Sequence, residues 1–450
     1  MADPSPDTDA QTGPQSGPQT GTRIAVLSSA SGGGGGIAAQ RLATALSRQP
    51  GVTADFLTRD QLGDLPAEVA PMRSMSNRRQ TDTHFTVEYP GYRRDWLVDL
   101  LAGYDIVNVH WASYLLSLAE LDALARRGVA MLFLLHDFHY ITGGCHYPAD
   151  CENLSLGCHD CPQADTTLCD PRFIPVNLRL KRALFARANV HLAAPSHHLR
   201  DRAVASGIVP AARAHVLRNP YQPLTPKAAR PRDGVTRILL IADSLTERRK
   251  AMPLALDSLA ALHRRLRGSP HRVHVDVVGA ADDPALRDRL AGCGLAHRLH
   301  GRITDHARLV DIFAASDIVL SCSYEDNWPN ILVEAGAYGC VPVVGPGHGC
   351  EEFVTTYGTG AVAPAYTPGA FADTLRRMIA TRQHRDRPDT GVQARIRADH
   401  QDGQIAARFL RIAATIARPT DPDRGPDMAP APEQSLNRDA QPAARQPQPA

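Results

Sequence analysis

The sequence predicts an α/β protein made of two doubly wound, Rossmann-like domains that face one another across a cleft. Three observations predict it. Short, near-continuous apolar runs rich in Val, Ile and Leu recur along both halves of the 450-residue chain, as parallel strands covered on both faces require. Segments with helical spacing separate the runs, so strand and helix alternate. The alternation is interrupted once, at residues 221–235, where YQPLTPKAARPRDGV carries three prolines and no periodicity and reads as an interdomain linker.

Taken in order, residues 1–21 hold four prolines and no aromatic residue, Leu, Ile or Val, and residues 419–450 hold eight prolines and, of those types, Leu436 alone. Neither stretch has the apolar content to offset the entropy of ordering, so both are expected to be disordered tails. The first domain spans 22–220, with strands at 23–29 (RIAVLSS), 105–111 (DIVNVHW), 129–136 (VAMLFLLH) and 190–196 (VHLAAPS) and a helix over 37–46. The second spans 236–418, with strands at 236–243 (TRILLIAD), 273–279 (VHVDVVG), 317–323 (DIVLSCS) and 341–345 (VPVVG). Its helices include 284–290 and a last amphipathic one, 404–418. Ligands in such sheets bind beyond the carboxyl ends of the strands, which both domains can turn toward the shared cleft.

Composition narrows the function. With 43% hydrophobic and 21% charged residues the chain fits a soluble globular protein. A net charge of +2 makes no case for a nucleic-acid binder. The start, MADPSPDTDAQ, has neither a basic n-region nor an apolar h-region, and no window approaches a membrane span, so a cytoplasmic protein is expected. Of 49 basic residues only Lys181, Lys227 and Lys250 are lysines, which makes a lysine inside a motif informative.

Three segments lie where a ligand would. SGGGGGI at 31–37 follows the first strand; glycines permit close backbone approach, and a helix N-terminus favours anions. TERRK at 246–250 follows the strand at 236–243, and Arg249 and Lys250 there suit a diphosphate by charge and forked hydrogen bonds. SCSYEDNWPNILVEAGAYGCVPVV at 321–344 places Asp326 in a loop and Glu334 eight positions on, inside a helix that starts near Pro329 and stops at Gly339. Free N–H groups near Asn330 suit sugar hydroxyls or phosphate, and Glu334 suits a ribose.

Two further segments point elsewhere. Cys145, Cys151, Cys158 and Cys161 put four thiols in 17 residues ending in CxxC, a spacing that suits a tetrahedral structural zinc; His146 and His159 are alternative ligands. Disulfides and simply packed thiols are the other readings, the first disfavoured in a reducing compartment. Cys322 and Cys340 read as core residues. NLRLKRALFAR at 177–187 is a basic amphipathic helix that either packs on the sheet or rests on anionic lipid as a peripheral membrane contact.

The 321–344 segment resembles the donor-site motif of the family 4 retaining glycosyltransferases, which have the GT-B fold. Their pattern, an acidic residue followed after seven positions by Glu-Ala and later by Gly-x-Pro-Val, is met by Asp326, Glu334-Ala335, Gly339 and Val341-Pro342-Val343, with Glu325 as the fallback for the acidic position. Lys250 resembles the family's diphosphate-binding lysine, although Ala251 replaces the usual glycine after it and Leu245 stands where an arginine is usual. Gly33–Gly36, including Gly35 and Gly36, resemble the amino-terminal glycine loop, and His136 the histidine that reaches the donor sugar. The stretch 349–354 with Glu352 resembles a later Gly-Gly-x-Pro-Glu loop, with His348 at its first glycine, and Asn219-Pro220 the pair before the hinge. The cysteine-rich segment is similar to inserts in a subset of bacterial members.

The resemblance implies transfer of a sugar from a nucleotide-sugar donor to a saccharide or lipid-linked saccharide acceptor, with retention and with no metal cofactor required for the chemistry. His136 and Asp326 would position the sugar, Lys250 and Arg249 would meet the diphosphate, and Glu334 would hold the ribose. Another enzyme on the same fold, such as a nucleotide-sugar epimerase or a sugar phosphorylase, and a non-catalytic zinc-containing binding protein are the alternatives.

Overall fold

Every expected apolar run forms a parallel strand. In a computed structural model of the chain the described residues are 21–70, 72–76, 82–165, 167, 169–226, 233–281, 283–381 and 390–416; the expected tails lie outside them, apart from Gly21, as does part of the linker. The first domain contains β1 (Thr22–Leu27), β2 (Val52–Leu57), β3 (Met72–Ser76), β4 (Asp82–Thr86), β5 (Ile106–Val109), β6 (Ala130–Leu134), β7 (Val190–Ala194) and β8 (Ala214–Val216). The second contains β9 (Val235–Ser244), β10 (Arg272–Ala280), β11 (Ala296–Gly301), β12 (Ile318–Ser321), β13 (Val341–Val344) and β14 (Ala361–Val362). The two large sheets run β2-β1-β5-β6-β7-β8 and β11-β10-β9-β12-β13-β14, all pairs parallel, while β3 and β4 form a separate antiparallel hairpin. The architecture is the expected α/β pair of Rossmann-like sheets.

Central strands are apolar because helices cover both faces: all five residues of β6 (AMLFL) are buried. In both sheets the strand order reverses beside the first strand, β1 or β9. Their carboxyl ends therefore open a crevice, which is where ligands bind in such sheets.

One boundary differs from expectation. The last amphipathic helix, Asp402–Ala414, does not stay with the second domain. Its Ile405, Phe409 and Ile412 pack with Ile24, Leu42 and Leu46 of the first. The cause is its apolar stripe, which finds the open face of helix Gly33–Ser47. The chain thus crosses between domains twice, and the crossings are bonded: Tyr221 N donates to His400 O (2.7 Å), and His400 Nδ1 to Asn219 O (2.7 Å).

Candidate active site

The carboxyl ends of β6, β9 and β12 bring His136, Lys250 and Asp326 to the same cleft. After β9 a single 3-10 turn, Arg248–Lys250, turns the basic residues inward. Lys250 Nζ donates to Asp326 Oδ2 at 2.6 Å. Arg249 donates to the same oxygen at 3.3 Å, to Glu325 O at 2.7 Å and to Glu247 Oε1, and its guanidinium lies 4.1 Å from the centroid of the Tyr147 ring. Burial pushes the Asp326 carboxyl up, but the Lys250 and Arg249 charges more than reverse this and hold it below the usual carboxylate range. Burial likewise opposes the Arg249 charge, and Tyr147, Glu247 and Asp326 outweigh it, so Arg249 is held charged.

Glu325 turns away from these cations. Both its carboxylate oxygens accept from Ala149 N, at 3.0 and 3.1 Å, which ties the cysteine-rich segment of the first domain to the second. Asn327 Nδ2 donates to His136 O at 3.1 Å, and Gly349 N donates to Asp326 O at 2.8 Å. A Cβ at Gly349 would lie 1.9 Å from Asn327 O, so only glycine allows helix His348–Tyr357 to close on the motif loop.

The glycine run is the first turn of a helix rather than a loop: Gly33–Ser47 begins inside it, with no side-chain cap. Gly36 is needed because a Cβ would lie 2.2 Å from Ala30 O. At Gly35 a Cβ would press on His136 Cδ2 at 3.3 Å and on Trp111 at 3.4 Å. The run therefore backs the His136 ring and presents free N–H groups beside it.

The remaining candidates bridge the domains. Asn330, at the start of helix Asn330–Ala337, accepts from Asn219 Nδ2 at 3.0 Å and reaches Gly34 O. Glu334 Oε1 accepts from Arg41 of helix Gly33–Ser47 at 3.1 Å. Glu352 accepts from His197 N (2.9 Å) and His198 N (2.7 Å) at the start of helix His197–Ala205, and pairs with Arg218 at 3.4 Å. That position suits a carboxylate, because a helix N-terminus carries positive partial charge.

The sequence matches two glycosyltransferase families in the same order as the two domains. Residues 33–220 match the glycosyl transferase 4-like domain, and residues 236–381 the family described as glycosyl transferases group 1. The chain is a glycosyltransferase of the GT-B type. A D-inositol 3-phosphate glycosyltransferase of Gordonia bronchialis is 27% identical over 194 residues, which is 40% of this chain and 40% of that protein. Among solved structures, HepE of Anabaena in complex with UDP matches 88% of this glycosyltransferase and 100% of its own chain, with a TM-score of 0.57 at 14% identity. Sucrose-phosphate synthase of Thermosynechococcus elongatus matches 87% and 98%, with a TM-score of 0.57 at 17% identity. At such identities these structures establish the fold.

Two departures of this glycosyltransferase from the pattern set out above carry a backbone cost. Ala251 and His348, where the family carries glycine, have φ of 51° and 61°. Both residues adopt the left-handed conformation that glycine takes without strain, at about 1–2 kcal/mol each. Leu245, in place of the usual arginine, is buried in the core of the second domain. Cys322 and Cys340 are buried in the core as expected.

The cysteine-rich segment differs from its expected form. Among the described residues no group of three or more His, Cys, Asp or Glu side chains is arranged to hold a metal ion, so the tetrahedral set of Cys145, Cys151, Cys158 and Cys161 is not assembled. All four are free thiols. Cys145 instead donates to the sulfur of Cys161, which pulls the Cys161 thiol down to about 7 and drives that of Cys145 up. His146 is drawn to Asp137 (2.7 Å) and Thr86 (2.9 Å).

The helix over 177–187, observed as Phe173–Ala186, buries one face in the first domain and gives two of its basic residues protein partners. Lys181 is fully buried and donates to His139 O and Thr142 O, and Arg187 pairs with Asp122. The reason is a packing face that includes position 181 among Ile174, Leu178, Leu184 and Phe185. Among the described residues no helix is long and apolar enough to cross a membrane.

Sequence reasoning assigned no role to Arg41, His197, Arg218 or Tyr147, which supply the first domain's half of these contacts. Asn327, inside the strongest motif, carried a signal by position alone.

Proposed function

We propose that the protein is a cytoplasmic retaining glycosyltransferase that moves a sugar from a nucleotide-sugar to an acceptor hydroxyl, in polysaccharide or glycoconjugate synthesis. The observation that carries this reading is the meeting of Lys250 and Arg249 with Asp326 at the carboxyl ends of β9 and β12, opposite His136. As the nucleoside diphosphate leaves, negative charge develops on its phosphates. Lys250, Arg249 and the N–H groups at the starts of helices Gly33–Ser47 and Asn330–Ala337 stabilise it in this reading. The protein's own cations carry this task, so the chemistry asks for no divalent metal. Glu334 exchanges Arg41 for the ribose hydroxyls, and His136 and Asp326 orient the sugar. The first domain's loops are left to select a saccharide or lipid-linked saccharide acceptor.

A thermal-shift screen of nucleoside diphosphates and their sugars tests the reading. A ligand at 100 times its Kd raises stability by about 2.7 kcal/mol. No shift with any of them would reject the donor site, and a product of inverted anomeric configuration would reject retention.

A structural zinc on Cys145, Cys151, Cys158 and Cys161 belongs to this proposal through the soft donor chemistry of the four thiols alone. One equivalent of zinc in reductively purified protein is the result that establishes it. Less than a tenth of an equivalent leaves the hydrogen-bonded thiols as they stand.

A further inference from the structure

His136 is held by a buried chain of side chains that begins two elements away. The rings of His136 and His110 stack with centroids 5.0 Å apart, and His136 Nε2 lies 2.8 Å from His110 Nδ1. His110 Nε2 lies 2.8 Å from Asn108 Oδ1, and Asn108 Nδ2 donates to Leu132 O at 2.8 Å. Asn108 and His110 are on or just after β5, beside β6, and both are buried.

The proton positions follow from chemistry. A backbone carbonyl can only accept, so the Asn108 amide nitrogen is the atom that faces Leu132, and its oxygen faces His110. That oxygen also only accepts, so His110 carries its proton on Nε2. A neutral imidazole has one N–H, which leaves His110 Nδ1 bare. The proton between the rings therefore sits on His136 Nε2, and His136 Nδ1 keeps its lone pair. Burial holds both rings neutral at physiological pH: it takes His136 down to about 4 and His110 well below its ordinary value.

We propose that Asn108 and His110 are positioning residues that lock His136 in the Nε2–H tautomer, so that the nitrogen left for a ligand, Nδ1, is a hydrogen-bond acceptor. On the reading that the ligand is a donor sugar, His136 then selects a hydroxyl that donates to it. Gly35 leaves room for the ring in this arrangement, since a Cβ there would press on His136 Cδ2.

Histidine ring nitrogens report their own protonation, so the test is spectroscopic and needs no substrate. Long-range proton–nitrogen correlation spectra of ring-15N-histidine protein near neutral pH, with the His136 signals assigned by their loss in His136→Gln, should show a bare Nδ1 and a protonated Nε2. A proton on His136 Nδ1, or averaging between the two nitrogens, overturns the proposal. Asn108→Leu keeps the side-chain volume and removes the acceptor. It should move the His110 proton to Nδ1 and force His136 to the opposite tautomer, and an unchanged His136 would strip Asn108 of the role. Should that variant not fold, His110→Phe withdraws the acceptor directly, and His136 should then populate both tautomers; a single unchanged Nε2–H form would count against His110. All these spectra are recorded without ligand, so they stand even if sugar transfer fails, and a His136 that ignores every nucleotide-sugar would sink the functional reading alone.

Discussion

Arg41 of the first domain and Glu334 of the second meet across the cleft, with Nη2 3.1 Å from Oε1. The guanidinium also lies 5.2 Å from the centroid of the Tyr221 ring at the domain crossing. In the proposed mechanism the ribose takes the place of Arg41 on Glu334, so binding competes with this pair.

Arg41→Met should therefore tighten nucleoside diphosphate binding. An ion pair that keeps some contact with solvent is worth about 0.2–1 kcal/mol, which is up to about fivefold in Kd. Glu334→Ala should weaken the same ligand by about 1–3 kcal/mol. Calorimetry on both variants checks the pair of signs; weaker binding in Arg41→Met would mean that Arg41 itself holds the nucleotide.

Lys250→Ala should lower turnover about 10²–10³-fold, the usual effect of deleting one donor at a charge-stabilising site. The fold should survive, because Asp326 keeps Arg249 as a partner. Steady-state rates beside a melting curve separate the two effects. Full activity in folded protein would remove Lys250 from the diphosphate site.

Glu325→Ala should loosen the cysteine-rich segment without touching Lys250. It leaves Ala149 N, a buried donor bound by both carboxylate oxygens, without its partner, at about 1–3 kcal/mol. Limited proteolysis should then cut within 145–169 faster than in the parent protein, and equal cutting rates would contradict the clamp.

Stability should fall as the solution is acidified from pH 6.5 toward 4. Burial takes His136 and His400 down to about 4 in the native state, against 6.5 when unfolded. Between those values the unfolded chain binds the extra protons, so each ring's contribution is present above 6.5 and lost as pH drops toward 4. The loss is roughly 2–4 kcal/mol for each. Urea melts across this range check it, with His400→Gln expected to flatten the slope.

How much of this was legible follows from where each signal lies. The central strands announce themselves, because burial on both faces leaves runs such as AMLFL in β6. Strand β2 (VTADFL) is mostly half-buried and β11 (AHRLHG) partly exposed, so polar residues break their pattern, while β8 and β14 are three and two residues long. In the site, Asp326 and Glu334 share one local motif and can be read directly. Arg41 stands 293 positions from Glu334 and His197 155 from Glu352, so these contacts exist only once both domains have folded and met. The docking of Asp402–Ala414 on the first domain was hidden for the same reason: its stripe shows that it packs, not on what.

That docking makes the first domain a discontinuous unit, begun and finished by opposite ends of the described chain. A fragment cut at the linker would expose Ile24, Leu42 and Leu46, which Ile405 and Phe409 cover in the whole protein. Cleavage between the domains would not release them either, since the returning helix still fastens one to the other. The two crossings are also bonded to each other at Tyr221, His400 and Asn219, so the domains are joined by a stitched pair of chain segments in place of one tether.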